Sequence, residues 1–429
     1  MEHNNKTIAL LILLLAQLAV VPSVRAQVFI RENPSFPSDH SIIRDIDDST
    51  WLVYSIYDDR ATFTKVSRSG YVTPVMDLGH QTVVISDFEV YGHSVFFCGS
   101  TYGVPSKAVF GSFKLAAFPN SNVDYAEIEE YASFDRLEVL ALDCYLLIGK
   151  TVEEENHFIE VQSSYIPTCW TFCAYGGLGG IVEKLDDVAG SGSYAVFTGR
   201  EFEHNRGYVF FADYATAGWF ANTLPVQYLE CPHLVLSPLW LEYCQDNHFA
   251  TATLGDIGLM HVSAYNAPYH FSTQRVITGY GVTSVVDVKY KKDLQRLDVL
   301  THHSTYDYFA SKIYHFEPNL TTPYAAGSVS AHSATDYWLT SLENSPMAFT
   351  GGSLYTMVSS GFNYGGALSV HRYNNAQFNC WEKVEIKAED LENHHKPVQI
   401  ELVRNRIKVC PGILPTTSYY QEMKKVCPK

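Results

Sequence analysis

Between residues 40 and 375 the chain is a succession of short apolar-rich runs separated by Gly, Asn, Asp and Ser turns, the pattern of buried and half-buried strands. Several runs open alike. Ile85-Ser86-Asp87-Phe88-Glu89-Val90 leads through Gly92-His93 into Ser94-Val95-Phe96-Phe97-Cys98-Gly99. Leu185-Asp186-Asp187-Val188 leads through Gly190-Ser191-Gly192 into Tyr194-Ala195-Val196-Phe197-Thr198-Gly199, and Val285-Val286-Asp287-Val288-Lys289-Tyr290 leads into Arg296-Leu297-Asp298-Val299-Leu300-Thr301. In each, an apolar-Asp-apolar strand turns sharply into a second strand, and after the first two a third follows at 109–115 and 208–213. Weaker copies begin at Ile43-Arg44-Asp45-Ile46, Phe134-Asp135-Arg136-Leu137, Pro238-Leu239-Trp240-Leu241 and Thr335-Asp336-Tyr337-Trp338.

The Asp of these openings falls at 45, 87, 135, 187, 287 and 336, at intervals of 42, 48, 52, 100 and 49. The interval of 100 spans two units, the one near Trp240 lacking its Asp. About seven units of a little under 50 residues result, within the ~40–50 residues of a propeller blade. A β-sandwich domain needs roughly 100 residues, so the shorter period selects the propeller. Each unit has room for four short strands, as 51–57, 61–66, 71–76 and 83–90 illustrate around the first boundary. Helix-compatible residues at 122–131 and 387–393 form stretches too short to change the class. The expected fold is therefore all-β, a β-propeller of about seven four-stranded blades over 27–375.

In these repeated openings and strand-Gly endings the chain resembles β-propeller proteins in general, over 40–375. The resemblance implies architecture alone, since the Gly-His and Trp-Asp signature of the Trp-Asp repeat class is missing and no catalytic motif carries over. Residues 376–429 break the pattern and form a C-terminal extension. Its clearest signal is Val398-Gln399-Ile400-Glu401-Leu402-Val403, a turn at 404–406, and Ile407-Lys408-Val409-Cys410, which reads as a hairpin that completes a blade or clamps the ring. An extended piece at 28–31 is expected to pair with the last sheet and close the circle.

Residues 1–26 carry Lys6, an apolar run at 8–21 and the triplet Val24-Arg25-Ala26, the layout of a secretory signal cleaved after Ala26. The run is shorter than the ~20 residues of a membrane span, and no later segment reaches that length. The mature chain is expected outside the cytoplasm, without a membrane span. The composition, 46% apolar and 14% aromatic, excludes a disordered or coiled-coil chain, and a formal charge of -16 disfavours a grip on nucleic-acid phosphates.

An oxidising compartment permits disulfides among the nine cysteines, and an odd number leaves at least one unpaired within the chain. Cys231 with Cys244 is a plausible local pair, while Cys380, Cys410 and Cys427 suggest a stapled tail. Cys169 and Cys173 either join or lie side by side on a strand. Cys98 and Cys144 sit in apolar runs and read as small buried thiols.

No G-x-S-x-G, H-E-x-x-H, G-K-[ST] or C-x-x-C motif occurs, so no catalytic, cofactor or metal residue is assigned. Gly176-Gly177-Leu178-Gly179-Gly180 reads as a connection between blades and Glu153-Glu154-Glu155 as a loop tip. Asp45-Ile46-Asp47-Asp48-Ser49 lacks the Gly and Glu of a calcium loop and reads as a turn. His302-His303 and His394-His395 point to opposite faces of a strand, and a zinc set of Cys169, Cys173, Cys231 and His233 is less fitting than disulfides. Asn319-Leu320-Thr321 is a glycosylation sequon. Asp87, Asp187 and Asp287 are either ligand-facing carboxylates at the channel mouth or acceptors for backbone amides of a neighbouring turn. Equal spacing favours the second, because a structural device repeats with the repeat. Trp219-Phe220, Tyr306-Asp307-Tyr308, Tyr337-Trp338 and Tyr419-Tyr420 offer flat faces to sugars, although most aromatics at strand spacing are core. The expected function is a secreted, non-enzymatic binding or scaffold protein whose loops meet a protein or glycan. The alternative is a glycan-processing enzyme, a glycoside hydrolase or polysaccharide lyase, with its site in the channel.

Overall fold

In the computed structural model the described residues are 29–32, 41–231 apart from 48–49, 58, 68–71, 166–167 and 192–193, then 235, 238–245, the separate strands between 248 and 372, and 382–426 apart from 385, 390–395 and 423. The predicted signal, the boundary near 375, His233, His394-His395 and the sequon at Asn319 lie outside them, as do Tyr306, Asp307, Tyr337 and Trp338. The side chains of Cys244, Cys380, Cys427, His302 and His303 are also outside.

Seven four-stranded antiparallel groups follow one another among the described residues, and each is a blade with strands a to d from the inside outward. Blade 1 runs Ser41–Asp47, Thr50–Tyr57, Arg60–Ser67 and Val72–His80. Blade 2 runs Val83–Tyr91, Ser94–Thr101, Ala108–Lys114 and Val123–Ile128. Blade 3 runs Tyr131–Ala141, Cys144–Thr151, Asn156–Tyr165 and Thr168–Gly176, and blade 4 Lys184–Ser191, Tyr194–Glu201, Arg206–Asp213 and Thr223–Glu230. Blade 5 occupies 240–276 and blade 6 occupies 282–330. In blade 7 two pieces, Leu339–Ser341 and Met347–Thr350, share one edge of Ser353–Ser360, which pairs with Ala367–Arg372. Its fourth strand is Phe29–Glu32, so the N-terminal segment closes the ring as expected. The a strands touch in cyclic order from blade 1 through blade 7 and back to blade 1. The chain is a β-propeller.

The uninterrupted apolar runs have a direct cause, because each blade is covered on both faces. Along Ser94–Thr101, Val95 and Phe97 enter the core shared with blade 1, while Phe96 and Cys98 enter the core shared with blade 3. The same alternation sends Phe197 toward blade 3 and Val196 toward blade 5. Rings meet across these seams, as in Phe63 against Phe88 at 5.2 Å and Phe158 against Phe197 at 4.7 Å. Each fully buried ring contributes about 1.5–3 kcal/mol.

The glycines near the ends of the b strands also have a structural reason. Gly99 lies opposite a β-bulge in strand a of blade 2, and a Cβ there would enter the Val84 carbonyl oxygen. At Gly199, opposite the matching bulge, a Cβ would sit 2.8 Å from the Lys184 oxygen.

The C-terminal segment departs from the expected hairpin. Residues 396–409 form one continuous strand, Lys396–Val409, whose first half pairs with strand d of blade 4 and whose second half pairs with strand d of blade 3. It belongs to a belt that retraces the ring in reverse. Glu382–Val384 lies on blade 6, Ile386–Glu389 on blade 5, Gly412–Leu414 on blade 2, Thr417–Glu422 on blade 1 and Lys424–Val426 on Phe29–Glu32 of blade 7. Every blade gains a fifth strand. Ile400 and Leu414 anchor the belt in the seams between blades 3 and 4 and blades 1 and 2. The stretches with helix-compatible residues at 122–131 and 387–393 contain strands, Val123–Ile128 and Ile386–Glu389.

A disulfide joins Cys410 to Cys169 with Cα atoms 4.2 Å apart, beside the pair Trp170 and Val409. The tail is thus stapled to blade 3, and Cys169 is joined across 241 residues instead of to Cys173. Cys173 points into the seam between blades 3 and 4, and Cys231 into that between blades 4 and 5, where its thiol is not in a disulfide. The three cysteines of the zinc set considered above therefore lie apart. Among the described residues no helix is long and apolar enough to cross a membrane.

Candidate functional site

The innermost strands bring most of the recurrent charged residues together. In blades 2, 4 and 6 a β-bulge separates residues 85 and 87, 185 and 187, and 285 and 287, and blade 3 has the same irregularity between Phe134 and Arg136. A bulge re-aims the side chain that follows it. In each of the three Asp cases, Oδ1 accepts the next amide, from Phe88 at 2.9 Å, Val188 at 3.0 Å and Val288 at 2.9 Å. Oδ2 then reaches the next blade: Asp87 accepts from Leu137 N at 3.2 Å and Asp187 from Leu241 N at 2.8 Å. The carboxylates do accept backbone amides, but the donors are the following residue of the same strand and, for Asp87 and Asp187, an amide of the neighbouring inner strand, not those of a turn.

These bonds define equivalent positions. Leu137 and Leu241 correspond, so Arg136 corresponds to Asp87 and Trp240 to Asp187. Arg44 of blade 1 binds Asp87 at 2.7 Å as Arg136 approaches Asp187 at 3.6 Å. From blade 1 to blade 6 the position therefore holds Arg44, Asp87, Arg136, Asp187, Trp240 and Asp287. Cation and anion alternate until Trp240, whose ring lies 4.9 Å from the Arg136 guanidinium. The sequence pattern placed the markers of blades 1 and 3 at Asp45 and Asp135, one residue too late and one too early. Asp45 is exposed at the end of its strand, and Asp135 accepts from Ser133.

Two residues on, a second layer repeats the device with Glu. Glu89 accepts from Val139 N at 3.0 Å, Glu138 from Gly190 N at 3.3 Å and Glu242 from Tyr290 N at 3.0 Å. The corresponding residue of blade 6 is Lys289, 3.6 Å from Glu242. Sequence reasoning missed this layer, although Glu89 stands beside the recognised Asp87.

Electrostatics show the groups converging on the axis. Burial works against the charge of Arg44, yet Asp87 beside it, with Asp287 and Glu242 from blades 6 and 5, holds its pKa above the usual value. Burial, reinforced by Asp87, pushes Glu89 up to about 7. Burial and then Glu89 raise Glu138 well above the ordinary carboxylate range, and burial raises Glu242. Asp187 is lifted to about 7 by burial, against the pull of Arg136. The centre of the ring thus gathers buried carboxylates that hold their protons more tightly than usual. Chemically it offers hydrogen-bond acceptors aimed at fixed amides, with three cations to offset part of the negative charge.

Another buried carboxylate lies further out, between blades 3 and 4. Glu160, with no exposed surface, accepts from Phe220 N at 2.7 Å. Burial pushes its carboxyl up to about 7, although the nearby Tyr214 hydroxyl draws it down. Neither Oε1 of Glu160 nor the Tyr214 hydroxyl has a partner of normal hydrogen-bond geometry. Trp219 stacks on Tyr214 with centroids 3.7 Å apart, so Trp219-Phe220 belongs to the packed seam. Tyr419 and Tyr420 are the reverse case, 40% and 70% exposed on the belt.

The remaining sequence features fall at blade connections. Glu153-Glu154-Glu155 forms the b–c tip of blade 3, closed by Thr151 N donating to Glu155 O at 2.9 Å, and 177–183 connects blades 3 and 4. Glu201, Glu203 and His204, a cluster not expected from sequence, have ligand atoms within 4.8 Å of one another at the b–c tip of blade 4. Glu201 is already bound to His204 at 2.5 Å and to Tyr208 at 3.2 Å.

No protein-family model matches the chain, and no curated protein matches it. Among solved structures, the chain is similar to prolyl oligopeptidase B from Galerina marginata bound to a 25mer macrocyclization substrate, with a TM-score of 0.50 and 8% identity, over 84% of this chain and 52% of that one. The same enzyme bound to a 35mer gives a TM-score of 0.49 over the same shares. Sqt1 from Chaetomium thermophilum gives 0.35 at 10% identity, over 69% of this chain and 98% of that one. This chain thus spans about half the length of the oligopeptidase, and the likeness concerns the fold.

Proposed function

We propose that this chain is a secreted binding or scaffold protein that uses its propeller as a frame and meets a protein or glycan through its blade connections. One observation carries the proposal: Asp87, Glu89, Glu138, Asp187 and Glu242 each hold an amide of the next blade. A glycosidase needs a carboxyl pair that is free to exchange protons with substrate and water, about 5–9 Å apart. Carboxylates fixed on backbone amides serve closure of the ring instead. Secretion is supported by the Cys169–Cys410 disulfide and by the apolar N-terminal run with small residues before Gln27.

The test has two parts. Expressed through a secretory pathway, the chain is expected in the medium with Gln27 as its first residue, read by mass spectrometry. The purified protein is then applied to a glycan array and an array of extracellular proteins while turnover is monitored. Retention without turnover supports the proposal, and release of reducing ends or unsaturated sugars overturns it.

A further inference from the structure

Three consecutive blades each present an apolar side chain at the tip between strands b and c. Val104 is fully exposed, Val152 is 51% exposed and Phe202 is 50% exposed. Isolated exposed apolar residues need no explanation, but these three occupy equivalent connections on adjacent blades. The tips share one rim. Tyr102 in the blade 2 tip donates to Asp59 in the blade 1 tip at 3.2 Å, and Glu183, between blades 3 and 4, receives Phe202 N at 2.8 Å. The carbonyl of Glu183 also accepts from Asn156 at 2.7 Å.

The tips are also preset. Lys107 N donates to Thr101 Oγ1 at 2.9 Å in blade 2, and Asn205 O receives Val235 N at 2.7 Å in blade 4. Phe202 is steadied by the Arg200 guanidinium, 5.3 Å from its ring. Little order remains to be imposed on binding, which limits its entropic cost.

Charge selects the partner. The connections on this rim, 102–107, 129–130, 152–155, 177–183 and 202–205, contain seven glutamates and one lysine. That lysine, Lys107, is already bound to Glu129 at 2.9 Å and lies 3.4 Å from Glu127. Of the cations flanking these connections, Lys150 pairs with Glu154, Arg206 lies 3.4 Å from Glu230, and exposed Lys184 adjoins Glu183, so the acidic residues still outnumber the basic ones. Neutral glycans gain nothing from such a field, and acidic or phosphorylated chains are repelled by it.

We propose that the b–c rim of blades 2–4 docks a cationic amphipathic protein segment, with apolar side chains against Val104, Val152 and Phe202 and with Lys or Arg among the surrounding glutamates. The proposal rests on the binding function above and names its face and partner class.

The test uses the mature chain and a fluorescein-labelled peptide of Leu, Phe and Lys, with Glu replacing Lys in a control peptide, read by anisotropy at about 0.15 M salt. Binding of the Lys peptide alone is expected. Glu130→Lys/Glu155→Lys/Glu203→Lys weakens it at least about tenfold, and Val104→Ser/Phe202→Ser does so mainly through faster dissociation. Asp45→Lys/Asp47→Lys/Asp143→Lys, which alters net charge equally on the opposite rim, changes affinity less than about twofold. Equal losses from the two charge variants would reduce the effect to overall charge and overturn the proposal. So would absence of peptide binding by wild-type protein that keeps its thermal midpoint. In either case a ligand retained on the arrays leaves the broader binding function standing.

Discussion

Replacing Glu160 by Gln isolates the stability effect of one buried proton. The carboxyl titrates near 7 in the folded chain, against the 4.5 of an exposed Glu, because burial disfavours its charge. The folded state therefore holds the proton more tightly, and the stability it contributes is complete below the unfolded value and lost as pH rises through 7. A shift from 4.5 to about 7 corresponds to about 3 kcal/mol in full, most of which disappears between pH 5 and pH 8. Gln keeps an oxygen for Phe220 N and can turn its NH2 toward the Tyr214 hydroxyl. Glu160→Gln should match wild type at pH 5 and exceed it by about 2–3 kcal/mol at pH 8, measured by urea unfolding at closely spaced pH values. Glu89 and Asp187 titrate in the same window, so the readout is the difference between variant and wild type. A constant offset across pH would refute the reasoning, and so would a variant less stable at pH 8 than at pH 5 by as much as wild type.

Two other changes probe the inner and outer closures. Asp87→Ala strands Arg44 and the amides of Phe88 and Leu137, and is expected to cost about 3–5 kcal/mol in chemical denaturation, whereas Asp45→Ala on an exposed strand end stays within about 0.5 kcal/mol. Cys169→Ser/Cys410→Ser releases a closed loop of 241 residues and should lower stability by up to about 5 kcal/mol. Its thermal midpoint should match that of reduced wild type and be indifferent to reductant, and a midpoint that fell further on reduction would show another bridge at work.

The parts of the fold legible in the sequence were those with local causes. Apolar runs mark strands covered on both faces, and Gly99 and Gly199 stand near the ends of theirs because backbone passes close by. The Asp recurrence was visible because a bulge, its following amide and a short carboxylate form one compact motif. Arg44, Arg136 and Trp240 occupy the same place with different chemistry, and adjacent Asp45 and Asp135 drew the count off by a residue. The belt left an ambiguous trace, since alternation at 398–410 suits a hairpin and an edge strand equally. Arg404-Asn405-Arg406 looked like a turn, but it lies where pairing with blade 3 becomes irregular after the strand has left blade 4. Pairing with edges about 170 to 240 residues away has no local signature.

Closure acts at three radii, and each acts on a different failure. Near the axis, carboxylates bind amides of the following blade, so two inner strands cannot part without exposing a buried charge and an unpaired donor together. At middle radius, aromatic seams resist water but are non-directional, and packing alone would tolerate sliding. At the outside, the belt spans neighbouring blades: Glu401 pairs with Thr223 of blade 4 and with Gly176 of blade 3, fixing their relative height. The belt also covers outer edges that would otherwise offer unpaired amides and carbonyls to other chains. It pairs with the d strands in the reverse of blade order, so its contacts tie every blade to residues distant in the chain. The Cys169–Cys410 bond fastens the belt at its middle, and the b–c blade tips take no part in any of the three closures, which leaves them available for the docking proposed above.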